Sequence, residues 1–440
     1  MKTLHIFHHS DLKNGVDKTT CTLLSTLKKI GGDPIAVIPE TGDVSDFLAE
    51  NRIPYRIIPF SCCSSEAWRA GFRFFAESFS QSDELLKLIR QEAPDVVHIN
   101  TGHLLHAGLA AARCKVPAIW HIHSPFDFDL KRYAASIGSC GYAGLLEQLS
   151  TLLIGVSDDV NRSLLENLPN ARITTLYNGI DVDGIRSLAR LSSTDIRSDL
   201  GLPDKATLVM GIGRISAQKD FAGFARVAHR VCRHRPDTFF IIVGPKEESD
   251  AVKQLELEIE RLNLADRLFV LGPRSDVPGL IAQSDIFLST AVFEGQGLAA
   301  LEAMALEKPV VAMACQGLRE CIMHEHDGLL VPPADENAAA DAVVRLLNDP
   351  VFSAKLGAMG KKSVLTKFSS LEYAQQFLMI AETARQLGPP PISGHELEML
   401  RGLLGEINTA HHKLLEFEQQ SIKQRFKLLI WYSLQPFKTR

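Results

Sequence analysis

Two glutamates, Glu294 and Glu302, are separated by seven residues and have the type and spacing to do chemistry. The turn Gly295-Gln296-Gly297 follows the first glutamate and leads into a run of helix-forming residues that starts at Leu298-Ala299. Such a turn brings unpaired backbone N–H groups and the positive end of a helix dipole close to a ligand, which favours an anion. We expect both carboxylates to face one cleft and to accept hydrogen bonds from ligand hydroxyls. From spacing alone, a solvated loop glutamate and an ordinary surface-helix glutamate are equally compatible.

A second candidate group is the basic loop Gly213-Arg214-Ile215-Ser216-Ala217-Gln218-Lys219, between a predicted strand that starts at Thr207 and a predicted helix over Phe221–Arg233. Arginine binds an anionic group bidentately and lysine acts as a point charge, so the loop could hold phosphates. Gly211-x-Gly213 suggests a dinucleotide site, but the third glycine of that fingerprint is missing. An unremarkable pair of cations on a surface loop is the alternative.

The third candidate group contains histidines at the end of a predicted strand, Pro117–His123. His121 and His123 point to the same face because they are two residues apart in a strand. Their spacing suggests a metal site, but no third ligand is spaced nearby, so we predict none. The alternative role is a hydrogen-bonded histidine at a strand end.

These residues must be positioned by strands that alternate with helices, as in Leu4–Phe7, a helix through Thr22–Ile30, and Pro34–Ile38. This alternation predicts an α/β fold with parallel sheets, whose ligands bind beyond the carboxyl ends of the strands. The loop Asn14-Gly15 follows the first strand and is a candidate site loop, although an ordinary Asn-Gly turn fits it equally well.

Composition limits the class of protein. The 440 residues suit two domains of about 200 residues each, and 45% hydrophobic with 22% charged residues is typical of a globular protein. The net charge of −5 argues against a nucleic-acid partner. We expect a cytosolic protein, because the start shows no secretory pattern, no apolar run approaches about 18 residues, and the eight cysteines show no CxxC or zinc-site spacing.

The segment EGQGLAALEAMA resembles the Glu–seven–Glu signature of the retaining glycosyltransferases of family four, which have the GT-B fold of two Rossmann-like domains facing a cleft. The resemblance implies that Glu294 contacts the donor sugar and that Glu302 binds the ribose hydroxyls of the nucleotide. Gly295, Gly297, Leu298 and Ala299 would complete this donor loop. The family often has phenylalanine at the position of Gln296, a departure close to the sugar.

The loop GRISAQKD resembles the family's G-R-x-x-x-x-K-G loop, in which the arginine and the lysine grip the donor diphosphate. The resemblance therefore implies donor-binding roles for Gly213, Arg214 and Lys219. Two fixed cations would stabilise the charge that develops on a leaving nucleoside diphosphate. Asp220 replaces the usual glycine of this loop.

Three further positions match the family less completely. His123 matches the histidine that hydrogen-bonds the donor sugar near its reacting carbon. The family often has a Gly-Gly pair beside the donor phosphates, and this chain has only one glycine there, Gly15. Arg274 lies in a turn that resembles the segment whose backbone holds the nucleobase.

The predicted domains are an acceptor-side Rossmann-like domain over 1–180, a donor-side domain over 181–370, a helix over 371–388 that crosses back, and a helical tail over 389–440. The tail starts at Pro389-Pro390-Pro391 and ends with basic residues around apolar and aromatic ones, among them Lys423, Arg425, Lys427, Phe426, Leu429, Ile430, Trp431 and Tyr432. A basic, aromatic helix suits an anionic membrane surface. It suits equally well a helix docked on the protein body or on the second subunit of a homodimer.

The resemblance implies transfer of a sugar from a nucleotide diphosphate sugar to an acceptor hydroxyl with retention of configuration, with His123, Arg214, Lys219 and Glu294 as catalytic residues. Because Arg214 and Lys219 would supply the positive charge at the diphosphate, we expect neither a metal nor a cofactor. The expected acceptor is a glycan or a lipid-linked precursor of the cell envelope, met at the inner face of the cytoplasmic membrane. The alternatives are a nucleotide-sugar 2-epimerase of the same fold and a non-catalytic nucleotide-binding or tethering module.

Overall fold

The structure is a computed structural model that describes residues 1–12, 15–60, 72–126, 138–400 and 402. Asn14 and, within the predicted tail, residues 401 and 403–440 therefore lie outside the described residues. No helix among the described residues is long and apolar enough to cross a bilayer.

Two parallel sheets organise the described chain, and the first has seven strands in the order β3-β2-β1-β4-β5-β6-β7. Its strands are β1 Lys2–Ile6, β2 Asp33–Ile38, β3 Tyr55–Ile57, β4 Val96–Asn100, β5 Ala118–Ile122, β6 Leu152–Gly155 and β7 Ile173–Thr175. Its helices are α1 Gly15–Lys29, α2 Asp43–Glu50, α3 Phe72–Glu92, α4 Leu105–Cys114, α5 Gly138–Gln148 and α6 Asp158–Asn167.

The second sheet has six described strands in the order β10-β9-β8-β11-β12-β13, also parallel. Its strands are β8 Thr207–Ile212, β9 Thr238–Val243, β10 Leu268–Val270, β11 Ile286–Ser289, β12 Val310–Met313 and β13 Leu329–Val331. Its helices are α7 Val182–Leu191, α8 Ile196–Asp199, α9 Phe221–His234, α10 Ser249–Arg261, α11 Val277–Gln283, α12 Leu298–Ala305, α13 Leu318–Cys321, α14 Glu336–Asn348, α15 Pro350–Lys367 and α16 Ser370–Leu387.

The central strands are apolar runs because helices cover both faces of each sheet, so both faces are buried. All residues of β9, Thr238–Val243, are buried, as are those of β12. Loops lead directly into capped helices: the Val160 N–H donates to Ser157 Oγ at 3.3 Å. The predicted α/β fold of two Rossmann-like domains is confirmed.

Helix α16 leaves the second domain and packs on the first. Tyr373 and Phe377 are buried in a core cluster that also contains Phe7 and Ile154 of the first sheet. The chain then turns at Pro389–Pro391 and forms a helix over 394–400, and Leu397 joins the core of the first domain with 7% of its surface exposed. The start of the predicted tail therefore docks on the protein body.

The predicted first helix differs from the observed one. The sequence pattern predicted Thr22–Ile30, whereas α1 starts at Gly15. Its first two turns carry Asp17, Lys18 and several threonines, which conceal the helical pattern because they are polar. Thr19 and Thr20 donate their hydroxyl groups to the Val16 carbonyl, which accommodates them within the helix.

Candidate active site

The Glu294 loop connects β11 to α12 at the carboxyl edge of the second sheet. Gly297 caps α12 with a left-handed φ of 92°, a conformation that favours glycine, and the helix starts at Leu298. The Glu294 N–H donates to the Gln316 carbonyl at 3.1 Å, which ties the loop to the chain that follows β12. The backbone N–H groups of Leu298 and Ala299 thus lie at the start of a helix, as the sequence predicted.

Glu294 and Lys219 form an ion pair that is largely shielded from solvent. Lys219 Nζ lies 2.5 Å from Glu294 Oε1, and only 16% and 12% of the two side chains are exposed. Gln218 Nε2 donates to the Phe293 carbonyl at 3.1 Å and approaches Glu294 Oε2 at 3.4 Å. The two residues that the resemblance assigns to the diphosphate and the sugar are therefore in direct contact.

Glycines allow the closest approaches at this edge. A Cβ on Gly295 would lie 2.0 Å from the His123 carbonyl oxygen, so only glycine lets the two loops meet. A Cβ on Gly213 would lie 2.6 Å from Lys219 Cε, so the lysine stem passes directly over this glycine. The structure thereby brings Gly213, Lys219, Glu294, Gly295 and His123 together.

Arg214 takes a different direction. It is half-exposed and donates to both carboxylate oxygens of Glu247, at 2.6 and 2.7 Å. It also reaches Gln218 Oε1 at 3.4 Å, and Gln218 links it to Glu294. Arg214 thus lies at the rim of the group and is held by a carboxylate.

Asp220 preserves the geometry of the glycine that it replaces. It adopts a left-handed φ of 44°, which aspartate tolerates better than most residues. Its side chain accepts from the Gly223 N–H at 2.9 Å and so caps α9. The departure from the family pattern therefore leaves the position of Lys219 intact, and Thr290 Oγ1 donates to the Lys219 carbonyl at 3.1 Å.

Glu302 lies one turn into α12 and is 9% exposed. Its partner comes from the other domain, because Lys18 Nζ of α1 donates to Glu302 Oε1. Gly15, at the start of α1, is also adjacent to α12, since a Cβ there would lie 3.2 Å from Leu298 Cδ1. The first turns of α1 and α12 therefore meet across the cleft.

The side chain of Gln296 is anchored on the link between the domains, and its distance from a donor sugar stays a prediction. Gln296 is 3% exposed, and its side-chain amide pairs with the backbone of Asn178, in the link between the domains. Oε1 accepts from the Asn178 N–H at 2.6 Å, and Nε2 donates to the Asn178 carbonyl at 3.1 Å. The Gln296 amide thus satisfies both the backbone N–H and the backbone carbonyl of Asn178. A phenylalanine at this position could make neither hydrogen bond.

Arg274 is separate from this group. It donates to both carboxylate oxygens of Asp276, at 2.8 and 2.7 Å, and holds the pKa of that carboxyl well below its usual value. No hydrogen bond or ion pair within the described part of the chain joins Arg274 to Glu294 or Lys219. Its role at a nucleobase stays a prediction.

A row of buried imidazoles leads to His123 along the first sheet. The histidine row consists of His5, His98, His121 and His123. His5 Nδ1 lies 2.9 Å from His98 Nδ1, His98 Nε2 lies 3.3 Å from His121 Nδ1, and the His121 and His123 rings are 4.3 Å apart. Burial lowers the pKa of all four, that of His5 to about 3, so the row is neutral at pH 7.

His123 follows β5 directly, which places its ring at the carboxyl edge of the first sheet. Its shielded Nε2 has no hydrogen-bond partner among the described residues. A neutral imidazole nitrogen in this position can donate or accept a hydrogen bond to a ligand, depending on its tautomer. No cluster of three or more metal-ligating side chains occurs within the described ranges.

A second contact between the domains involves α13 and the N-terminus of α6. The backbone N–H groups of Asp158 and Asp159 donate to the two oxygens of Glu320, both at 2.7 Å. Arg319 Nε donates to Asp159 Oδ2 at 3.0 Å. Burial alone would raise the pKa of Asp159, but hydrogen bonds from Arg319 and from the Gly317 N–H lower it. A carboxylate at a helix N-terminus and a charged pair thus hold the cleft closed on this side.

Sequence reasoning missed Lys18 and Glu320, and one of the two carried a signal. A basic residue in the first turn of a helix opposes the helix dipole and suggests an anion from outside the helix, but this signal for Lys18 is visible only once α1 is known to start at Gly15. Glu320 had no local signal, because its partners are backbone groups more than 150 residues away in the sequence.

Comparison with known proteins identifies two matching families. The family described as glycosyl transferases group 1 matches residues 192–363, and glycosyltransferase family 4 matches residues 13–183. The first match contains all described strands of the second sheet, and the second match contains strands β2 to β7 of the first sheet.

Individual relatives align with most of this chain. The Escherichia coli UDP-Gal:alpha-D-GlcNAc-diphosphoundecaprenol alpha-1,3-galactosyltransferase is 25% identical over 350 residues, which is 78% of this chain and 87% of that protein. N-acetyl-alpha-D-glucosaminyl L-malate synthase of Bacillus anthracis is 25% identical over 318 residues, 70% of this chain and 79% of that protein. The crystal structure of Anabaena HepE in complex with UDP and glucose superposes with a TM-score of 0.71 at 22% identity, over 87% of this chain and 100% of that chain, and shows the same fold.

Proposed function

The chain belongs to the group 1 and family 4 glycosyltransferases of GT-B fold, and from this premise we propose that its donor site is the Lys219–Glu294 group. The proposed reaction transfers a sugar from a nucleotide diphosphate sugar to an acceptor hydroxyl with retention of configuration. The comparisons give no support to an epimerase or to a non-catalytic module.

One observation carries the assignment of the site. A largely shielded cation, Lys219, and a largely shielded carboxylate, Glu294, are paired beside the N-terminus of α12 and against the His123 loop. A cation and a helix N-terminus favour a diphosphate, and a carboxylate favours sugar hydroxyls. Both requirements of a nucleotide sugar are therefore met within one loop.

In the proposed reaction the bond between the anomeric carbon and the diphosphate oxygen breaks, and its electron pair leaves with the diphosphate. The acceptor oxygen bonds to the same face of the anomeric carbon, and its proton passes to an oxygen of the leaving phosphate. Lys219 and the N–H groups of Leu298 and Ala299 would stabilise the developing negative charge, because they are fixed before the reaction. Glu294 and His123 would hold the sugar by its hydroxyls.

Arg214 fits this scheme as a second cation that changes partner. Its guanidinium is half-exposed and paired with Glu247, so a diphosphate would replace one anionic partner by another. We propose that the reaction needs no metal, because Lys219 and Arg214 can supply the charge that a metal would otherwise provide. We also propose a UDP-sugar as the first donor to test, since UDP appears in the names of the Escherichia coli relative and of the HepE complex.

The proposed acceptor is a lipid-linked glycan at an anionic membrane surface. The support is the diphosphoundecaprenol in the name of the Escherichia coli relative and the basic, aromatic tail of this chain. Sedimentation of the full chain with vesicles tests this proposal, with phosphatidylcholine vesicles as the uncharged control. Binding only to vesicles that contain phosphatidylglycerol, lost when Lys423, Arg425 and Lys427 are changed to glutamate, would support it. If the triple variant sedimented with these vesicles as much as the wild type does, the proposal would be refuted.

The function is tested by incubating the protein with UDP-, GDP-, ADP- and dTDP-sugars, with and without EDTA, while following nucleotide release. We expect release from one donor, no effect of EDTA, and a loss of about 100-fold or more in Lys219→Ala, by analogy with the ~3–4 kcal/mol of an oxyanion-hole donor. Lys246→Ala is the matched control, because Lys246 is an exposed lysine paired with Glu256. If Lys219→Ala released nucleotide as fast as the wild type, the assignment of the donor site would be wrong.

A further inference from the structure

Lys18 and Glu302 form a contact between the two domains at the donor site. Lys18 lies in the first turn of α1, on the first domain, and its Nζ donates to Oε1 of Glu302 on α12 of the second domain. The Lys18 side chain is 44% exposed, whereas the Glu302 side chain is 12% exposed. The lysine thus reaches from the surface of one domain to a nearly buried carboxylate of the other.

The chemistry of the first domain alone does not account for Lys18. A cation in the first turn of a helix opposes the helix dipole and is therefore unfavourable there without an anionic partner. Lys28 and Lys29, in the last turn of the same helix, lie where the dipole favours them. Among the described residues, the carboxylate that pairs with Lys18 is Glu302 of the second domain.

The contact leaves half of the carboxylate available. Oε1 of Glu302 accepts from Lys18, and Oε2 accepts no hydrogen bond from any described residue. An ionised carboxylate can accept at both oxygens, so Oε2 remains an acceptor for a hydroxyl group. A lysine that holds one oxygen also fixes the orientation of the other.

We infer that Lys18 is a positioning residue that aims Oε2 of Glu302 at the ribose hydroxyls of the donor nucleotide. The inference rests on the proposed function, in which Glu302 binds the ribose. Because the lysine and the carboxylate belong to different domains, the ribose subsite is complete only when the two domains are closed. Binding of the nucleotide and closure of the cleft are therefore energetically linked through this pair.

Calorimetric titration of the full chain with UDP and with 2′,3′-dideoxy-UDP tests the inference, with GDP or ADP and their dideoxy forms used where UDP does not bind. We expect Lys18→Ala to raise the Kd for the ribonucleotide about fivefold to tenfold, as for a partly exposed charge-assisted hydrogen bond. The Kd for the dideoxynucleotide should change less than about twofold, since it has no hydroxyl to bind. Lys18→Arg should restore most of the ribonucleotide affinity.

Two controls separate positioning from other roles. Lys28→Ala, on the same helix and exposed, should bind both nucleotides as the wild type does. In a Glu302→Ala background, Lys18→Ala should have no further effect, because the residue acts only through that carboxylate.

Four results would overturn the inference. An unchanged or lower Kd for the ribonucleotide in Lys18→Ala would show that the lysine does not support the ribose subsite. An equal rise for both nucleotides would show that Lys18 acts on the phosphates instead. If the wild type bound none of UDP, GDP, ADP and dTDP while remaining folded, the proposed function would fail and this inference with it. Binding of dTDP alone, which lacks the 2′-hydroxyl, would overturn this inference and leave the proposed function standing.

Discussion

Replacing Gln296 removes both hydrogen bonds to the backbone of Asn178. Both residues are 3% exposed, so Gln296→Ala leaves a backbone donor and a backbone acceptor buried without partners. Each unsatisfied buried group costs about 1–3 kcal/mol, and entry of a water molecule would recover part of this. We therefore expect the free energy of unfolding to fall by about 2–4 kcal/mol.

Two further variants separate hydrogen bonding from side-chain volume. Gln296→Met keeps the volume and still leaves both groups unpaired, so it should lose about as much stability as alanine. Gln296→Glu can accept from the Asn178 N–H, but its ionised carboxylate would be buried against the Asn178 carbonyl oxygen, so it should lose at least as much stability as methionine near neutral pH. Gln386→Ala, an exposed glutamine on α16, is the control and should stay within about 0.5 kcal/mol of the wild type.

The assay is urea unfolding followed by tryptophan fluorescence, combined with the KM for the donor. Because Gln296 lies between Gly295 and Gly297, loss of its anchor should also loosen the donor loop and raise this KM. A Gln296→Met protein as stable as the wild type would refute the reasoning. It would mean that the Asn178 backbone groups find other partners at no cost.

Three other outcomes follow from the same structure. Acid should destabilise the protein, because burial lowers the pKa of the histidine row in the folded state whereas an unfolded histidine titrates near pH 6.5. The free energy of unfolding should have its full value above about pH 6.5. Below that pH it should fall by ~1.4 kcal/mol per pH unit for each histidine. Equal urea-denaturation midpoints at pH 7.5 and pH 5.5 would contradict this. Gly295→Ala should lower kcat/KM for the donor at least about tenfold, because its Cβ would lie 2.0 Å from the His123 carbonyl oxygen. Gly394→Ala is the control and should have wild-type kinetics, because no atom lies within 4 Å of its Cβ. Equal kinetics of the two variants would show that the Glu294 loop and the His123 loop do not meet. Glu247→Gln should lower the donor KM about twofold by releasing Arg214, and a raised KM would show that Glu247 positions the arginine instead.

Much of the fold followed from local patterns. The predicted helix over Phe221–Arg233 was observed as Phe221–His234, because its apolar spacing and the capping Asp220 act within a few residues. The strands also agreed closely, since apolar runs such as Pro117–His123 must be buried in a parallel sheet. Patterns of short range were therefore sufficient for the architecture.

The partners of the site residues did not follow from the sequence. Lys219 and Glu294 were each predicted, but their ion pair joins loops that are 75 residues apart. Gln296 was placed near the sugar because only its neighbours in the sequence were known, whereas its partner Asn178 is 118 residues away. Contacts between the domains, such as Lys18 with Glu302, depend on how two folded units meet, and no local pattern encodes that.

A crystal structure of the protein with UDP tests the central claim most directly. The account predicts the diphosphate against Lys219 and the N–H groups of Leu298 and Ala299, with the ribose hydroxyls at Glu302. Nucleotide bound elsewhere would contradict it, for example in the cavity of about 660 Å³ beyond the first three strands, which is lined by His9, Pro39, Glu40, Thr41, Ile57, Pro59, Phe60 and Gln81.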